Sequence, residues 1–159
     1  YGTAIYQGDL VEPLTSGNIQ KHGANTSDAV VGVFNGCFYT DPTTQKPTYK
    51  NYYPGSIAAS DITAFIVDDP DAVFLADADA AFTRADLFKN YSVTNTTGVT
   101  QTGISKQQLD VSVSGTAQTF VIQAIDISQD PENSDTATSN ANILVRINNH
   151  FYRSGTGIA

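Results

Sequence analysis

The sequence predicts an all-β domain, a small antiparallel β-barrel or sandwich with an extended N-terminal arm and one short helical turn. Three observations lead there. Short apolar and aromatic runs recur along the chain, separated by Pro, Gly, Asp and Asn. Several of these runs alternate apolar with polar residues, the period of a strand buried on one face. Almost no segment reads as helix. The 159 residues are a one-domain length, because a domain of about 150 residues buries some 68–70% of the surface its unfolded chain exposes and needs neither metal nor disulfide to fold.

Residues 1–14 form the arm or first strand, residues 15–153 the β-domain and residues 154–159 a mobile tail. The arm alternates loosely from Ala4, is interrupted at Gly8-Asp9 and ends at Pro13. The stretch 15–28 is polar, a loop with a short strand near Ile19. Residues 30–34 are a strong β run. Asn35-Gly36 suits either a type I′ hairpin turn or a bulge. The bulge is favoured because Thr40-Asp41-Pro42 and Lys46-Pro47 bound a better loop, between strands at 33–39 and 48–53.

Residues 57–67 have the β-branched and aromatic content of a central strand, closed by Asp68-Asp69-Pro70, and Val73-Phe74-Leu75 begins the next. Thr83 and Asp86 have capping-box spacing, with Asp in place of Glu, which places one or two helical turns ahead of Leu87-Phe88-Lys89. The stretch 92–105 is a Thr- and Gly-rich connection. Residues 109–113 and 120–127 alternate again, 131–141 is an acidic loop with no large apolar anchor, and 143–147 is the closing strand.

Sixteen acidic against eight basic side chains give a net charge of −8. A chain without a basic face repels phosphate backbones and anionic lipid, so no nucleic acid and no membrane is expected as partner. No run of 18 apolar residues occurs, and the first residues have no basic end followed by an apolar stretch. The single Cys37 excludes an internal disulfide framework, and between Gly36 and Phe38 it reads as a small buried hydrophobe. The sequons at Asn25, Asn90 and Asn95 arise readily by chance in a chain rich in Asn and Thr.

Asp68, Asp69, Asp71, Asp77 and Asp79 are the best cation candidates, since hard ions take several oxygens from one loop. They lack the Gly and closing Glu of a calcium loop, and turn and cap roles account for them better. His22 reads as solvated in its polar loop, and His150 as a hydrogen-bonding partner of a turn backbone. There is no G-x-S-x-G, no catalytic signature around Cys37 and no phosphate-cradling Gly-rich turn. The expectation is a protein that is not an enzyme and uses no cofactor or metal.

The aromatic group Phe38, Tyr39, Tyr49, Tyr52 and Tyr53 supports a binding role. Adjacent strand residues face opposite sides, so some of these rings must point outward, to cover a loop, a protein partner or a sugar. The expected interface comprises Tyr39, Tyr49, Tyr52 and Tyr53 with Ile5, Tyr6 and Leu10 of the arm. Residues 1–7 would then contact a neighbouring subunit or shell by strand addition, anchored by Ile5 and Tyr6, unless the arm pairs within its own domain.

Several blocks carry a resemblance: Ala4-Ile5-Tyr6-Gln7-Gly8-Asp9-Leu10-Val11, Gly32-Val33-Phe34-Asn35-Gly36-Cys37 running to Asn51-Tyr52-Tyr53-Pro54, and Ala64-Phe65-Ile66-Val67-Asp68-Asp69-Pro70. Later blocks are Asp86-Leu87, Thr102-Gly103-Ile104-Ser105 with Leu109-Asp110, and Asn142-Ile143-Leu144-Val145-Arg146-Ile147-Asn148-Asn149-His150. In order and spacing they resemble a family of small head structural proteins of tailed bacteriophages, encoded near the major capsid protein. The resemblance covers nearly the whole chain and brings no catalytic motif. It implies a virion protein that decorates and stabilises the capsid exterior, binds the major capsid protein, and is assembled in the host cytoplasm. The reading taken with it is a homo-oligomer, trimer favoured over dimer. A carbohydrate-binding or adhesive module of a fibre or spike is the alternative that exposed Tyr residues would also suit.

Overall fold

The computed structural model describes residues 1–24, 27–133 and 136–154. The strands are β1 (Leu10–Pro13), β2 (Ile19–Lys21), β3 (Gly32–Thr40), β4 (Pro47–Lys50), β5 (Thr63–Val67), β6 (Val73–Asp77), β7 (Asn90–Val93), β8 (Leu109–Gly115), β9 (Ile122–Ile127) and β10 (Asn142–Ile147). They form two antiparallel sheets of five strands each. In the first the order is β2-β1-β3-β4, with β5 also paired to β3; in the second it is β6-β10-β9-β7-β8. The all-β expectation therefore stands, as two sheets rather than one closed barrel.

β3 organises the first sheet. β5 runs along it from Val33 to Phe38, while β1 pairs with Gly32 and Val33 and β4 with Cys37 to Thr40. A strand has two edges, so β1 and β4 share the one that β5 leaves. The β3–β5 register shifts between Phe34 and Cys37, at Asn35-Gly36. Strict alternation would send Phe34 and Cys37 to opposite faces. The bulge restores parity, so Phe34, Cys37 and Tyr39 all join one core with Ile5, Val11, Val31 and Tyr53. Gly36 is needed there: its φ is +115°, and a Cβ would lie 2.5 Å from the Tyr49 hydroxyl.

The second core lies on the inner face of the other sheet and reaches Leu10 and Val30 across the gap, with Val33 packed against it. β10 shows its logic plainly: Ile143, Val145 and Ile147 are buried and their neighbours less so. Phe82 and Tyr91 fill the centre with ring centroids 5.8 Å apart, and fully burying side chains of this size stabilises by about 1.5–3 kcal/mol each.

Local differences from expectation have physical causes. β5 is five residues and an edge strand, shorter than the 57–67 run and not central. Ile57, Ala59 and Ile62 instead pack as loop against the Phe34–Cys37 core. β7 lies across what reads as the boundary of the helical turn and the connection, because Tyr91 and Val93 are drawn into the core beside β8 and β9. The capping box holds: the Asp86 carboxylate accepts from the Thr83 N–H at 3.0 Å and hydroxyl at 2.7 Å, over a single 3-10 turn at Arg84–Asp86. The loop after β9 does have an anchor, a polar one. Asn133 is buried, donates to the carbonyls of Ser128 and Asn142 and accepts the Asn142 N–H. A four-residue helix, α1 (Phe151–Ser154), follows β10, and the rest of the expected tail, 155–159, lies outside the described residues.

Candidate functional site

The arm belongs to its own chain. Ile5 bridges Tyr53 through two backbone hydrogen bonds of 2.9 and 2.7 Å, and Gln7 bridges Ile104. Tyr6 stacks on Tyr52 with centroids 5.6 Å apart, and the Tyr53 hydroxyl donates to the Tyr1 carbonyl at 2.8 Å. Consequently Ile5, Tyr6, Leu10, Tyr39 and Tyr53 are buried, each 7% exposed or less. The expectation that these five are surface anchors is corrected: alternation and the β3 bulge turn Tyr39 inward, and pairing with residue 53 turns the arm inward. Tyr49, 55% exposed, stays open, and Tyr52 is half-buried with Lys50 Nζ 5.5 Å from its ring centroid.

An exposed aromatic patch survives on the first sheet, around the bulge. Phe38 and Tyr49 are cross-strand partners, and the Tyr49 and Phe65 centroids are 6.2 Å apart at a 44° tilt. Phe38, Phe65 and Val67 are exposed large apolar residues. The Tyr49 hydroxyl donates to the Asn35 carbonyl at 3.0 Å, so the ring is held across Gly36 and costs little further order on binding. Phe65 and Val67 are absent from the expected interface. Their signal was the alternation of 63–67, with Ala64 and Ile66 facing the core and the odd positions facing out.

Carboxylates rim the patch. Asp61 accepts the Thr40 N–H at 3.1–3.2 Å, and hydrogen bonding to the Thr40 side chain and backbone holds its carboxyl below the ordinary range. Asp41 is lowered likewise by the N–H groups of Thr44 and Thr43. Behind the patch, on the core side of β5, lies a cavity of about 500 Å³ of mixed polarity, lined by Phe34, Cys37, Ala64 and Ile66 together with Asn18 and Ser60 among others. A second of about 250 Å³ opens between the sheets, beside Leu10, Val33 and Phe74.

No family model, curated protein or solved structure matches this chain. The site's chemistry therefore rests on its own side chains.

The titratable groups serve structure. His22 is not solvated: it is fully buried, its Nδ1 2.5 Å from Glu12 Oε2, and Glu12 Oε1 accepts from Gln20 at 2.6 Å. Nearby, buried Asp9 accepts the Tyr6 N–H at 2.8 Å and the Ser105 hydroxyl at 2.5 Å, with Lys21 Nζ at 3.4 Å. His150 Nδ1 accepts the Tyr152 N–H at 3.2 Å, a turn-backbone role, and burial pushes its imidazole below the usual value. Of the aspartates, Asp69 accepts the Asp71 N–H at 2.9 Å within its turn, Asp71 pairs with Arg153, and Asp79 accepts the Val111 N–H at 2.9 Å rather than capping the helical turn. Among the described residues no three His, Cys, Asp or Glu are grouped to hold a cation. What the surface offers is a braced apolar patch with an acidic rim, suited to binding a protein.

Proposed function

We propose that this chain is a non-enzymatic virion protein of a tailed bacteriophage that decorates the capsid exterior and stabilises it by binding the major capsid protein. The observation that carries the reading is the outward patch of Phe38, Tyr49 and Phe65, with Tyr49 braced on Asn35. Preorganised aromatic groups of this kind are the usual energetic centres of protein interfaces. The block order across the chain supports the choice of partner. The net charge of −8 suits a position outside the shell, away from packaged DNA.

The mechanism is burial repeated many times. An interface of standard size covers about 800 Å² on each partner. Copies joined as a homo-oligomer, a trimer in this proposal, engage several capsomers at once, so modest single contacts add as avidity. Assembly would take place in the host cytoplasm.

Co-sedimentation with expanded, DNA-free capsids of the same phage tests it. The chain should pellet with capsids, and a Tyr49→Ala/Phe65→Ala variant with an unchanged melting point should lose at least about tenfold in affinity. A chain that ignores capsids and binds a glycan array through Tyr49 overturns the proposal in favour of a carbohydrate-binding module of a fibre or spike.

A further inference from the structure

β2, β4, β5, β6 and β8 each leave one edge unpaired within their sheets. An unpaired edge invites another strand, and folds guard against this with short length, Lys, Pro or charge. β2 has three residues and ends in Lys21; β4 starts at Pro47 and ends at Lys50. β8 interleaves Asp110 with serines, and β6 closes on Asp77. β5, Thr-Ala-Phe-Ile-Val, has no Lys, Pro or charge within its five residues, and its acidic groups lie only beyond its ends. Its ladder partners all lie on β3, and no other backbone group among the described residues bonds to it.

Both faces of this edge are prepared for side chains. Phe65 and Val67 continue the aromatic patch on one face, and Ala64 and Ile66 open onto the cavity of about 500 Å³ on the other. Each end carries acid: Asp61 precedes the strand by two residues, and Asp68 and Asp69 follow it directly. Five residues of strand span about 17 Å, so a pairing segment of similar length sets its flanks against these carboxylates.

We propose that β5 accepts, by antiparallel strand addition, an extended segment of alternating β-branched and aromatic residues with Lys or Arg at both ends. The segment's source is the major capsid protein, which rests on the function proposed above; the edge chemistry does not. Main-chain hydrogen bonds supply affinity, the patch and cavity read alternate side chains, and the acidic ends select basic flanks. A second copy of this chain fits poorly, because antiparallel pairing of two β5 strands sets Asp68 and Asp69 of one against Asp61 of the other.

The test uses the whole chain and a fluorescein-labelled peptide, Lys-Arg-Val-Thr-Val-Tyr-Val-Arg-Lys, read by anisotropy and by amide exchange. Binding should protect, at least about tenfold, those amides of residues 63–67 whose N–H groups face away from β3. Glu in place of the flanking basic residues should weaken binding by about tenfold at 0.02 M salt, with the gap narrowing at about 0.5 M. One of the two alternately N-methylated peptides should lose binding, because only one set of its N–H groups faces β5. Equal binding by all versions, or protection at β4 or β6 in place of β5, overturns the inference. So does concentration-dependent self-association that Phe65→Lys abolishes, which assigns the edge to a second copy. Capsid binding without peptide binding rejects the edge and keeps the function; peptide binding without capsid binding keeps the edge and rejects the partner.

Discussion

Glu12→Gln removes one charge from a pair the fold has taken out of water. His22 is 0% exposed and Glu12 5%, with 2.5 Å between Nδ1 and Oε2. Breaking a buried pair by losing one partner costs about 3–5 kcal/mol. The Gln amide oxygen can still accept from the imidazole, which sets the expectation at the lower end, about 3 kcal/mol. For a chain of this length each kcal/mol lowers Tm by about 2–4 °C, so the melt at pH 7, followed by circular dichroism, should fall by about 6–12 °C. Glu132→Gln, at an exposed position, is the control and should stay within about 0.5 kcal/mol of wild type.

The same pair fixes the sign of the pH dependence. Burial, the largest influence on Glu12, raises its carboxyl, but hydrogen bonds from His22 and Gln20 and the charge of His22 together bring it below its ordinary 4.5. A carboxyl lowered on folding stabilises fully above its unfolded value and loses that stabilisation as pH falls through the folded one. The gap between wild type and Glu12→Gln should therefore shrink as the pH falls below about 4.5. A loss under about 1 kcal/mol at pH 7, or a gap that widens in acid, refutes the reasoning.

Gly36→Ala sets a Cβ 2.5 Å from the Tyr49 hydroxyl at a φ of +115°, and urea denaturation should show a loss of about 2 kcal/mol or more. Tyr49→Phe removes the clashing oxygen, so the double variant should lose less than the two single losses summed; strict additivity would show that Tyr49 does not lie over Gly36. Cys37→Ser should cost about 1–3 kcal/mol, because the thiol is 1% exposed in the core and burial pushes its pKa up. A bulky thiol reagent that labels native Cys37 as fast as free cysteine would contradict that placement.

Local patterns carried much of this fold. Alternation in 109–113, 120–127 and 143–147 marked strands because side chains on a pleated backbone take opposite faces whatever lies beyond them. The choice of a bulge at Asn35-Gly36, the Thr83–Asp86 capping box and a buried Cys37 depended only on residues a few positions apart, and the structure agrees with each. The candidate interface was less legible. Tyr49 remained exposed, but five of the seven expected residues turned inward, and Phe65 and Val67 took their place.

Composition and period thus determined on their own that this chain folds as antiparallel β-structure with an acidic exterior, and where most strands lie. Tertiary structure alone decided which face of each strand was covered. Tyr39 and Phe38 are adjacent aromatic residues, and only the distant β5 and arm, brought in by the ladder around β3, bury the one with the hydroxyl and leave the more apolar one open. His22 reads as a loop residue until the β1–β2 register, Glu12 opposite Gln20, carries it to a carboxylate ten residues away in sequence. Burial is a property of non-local neighbours, and no window along the chain contains them.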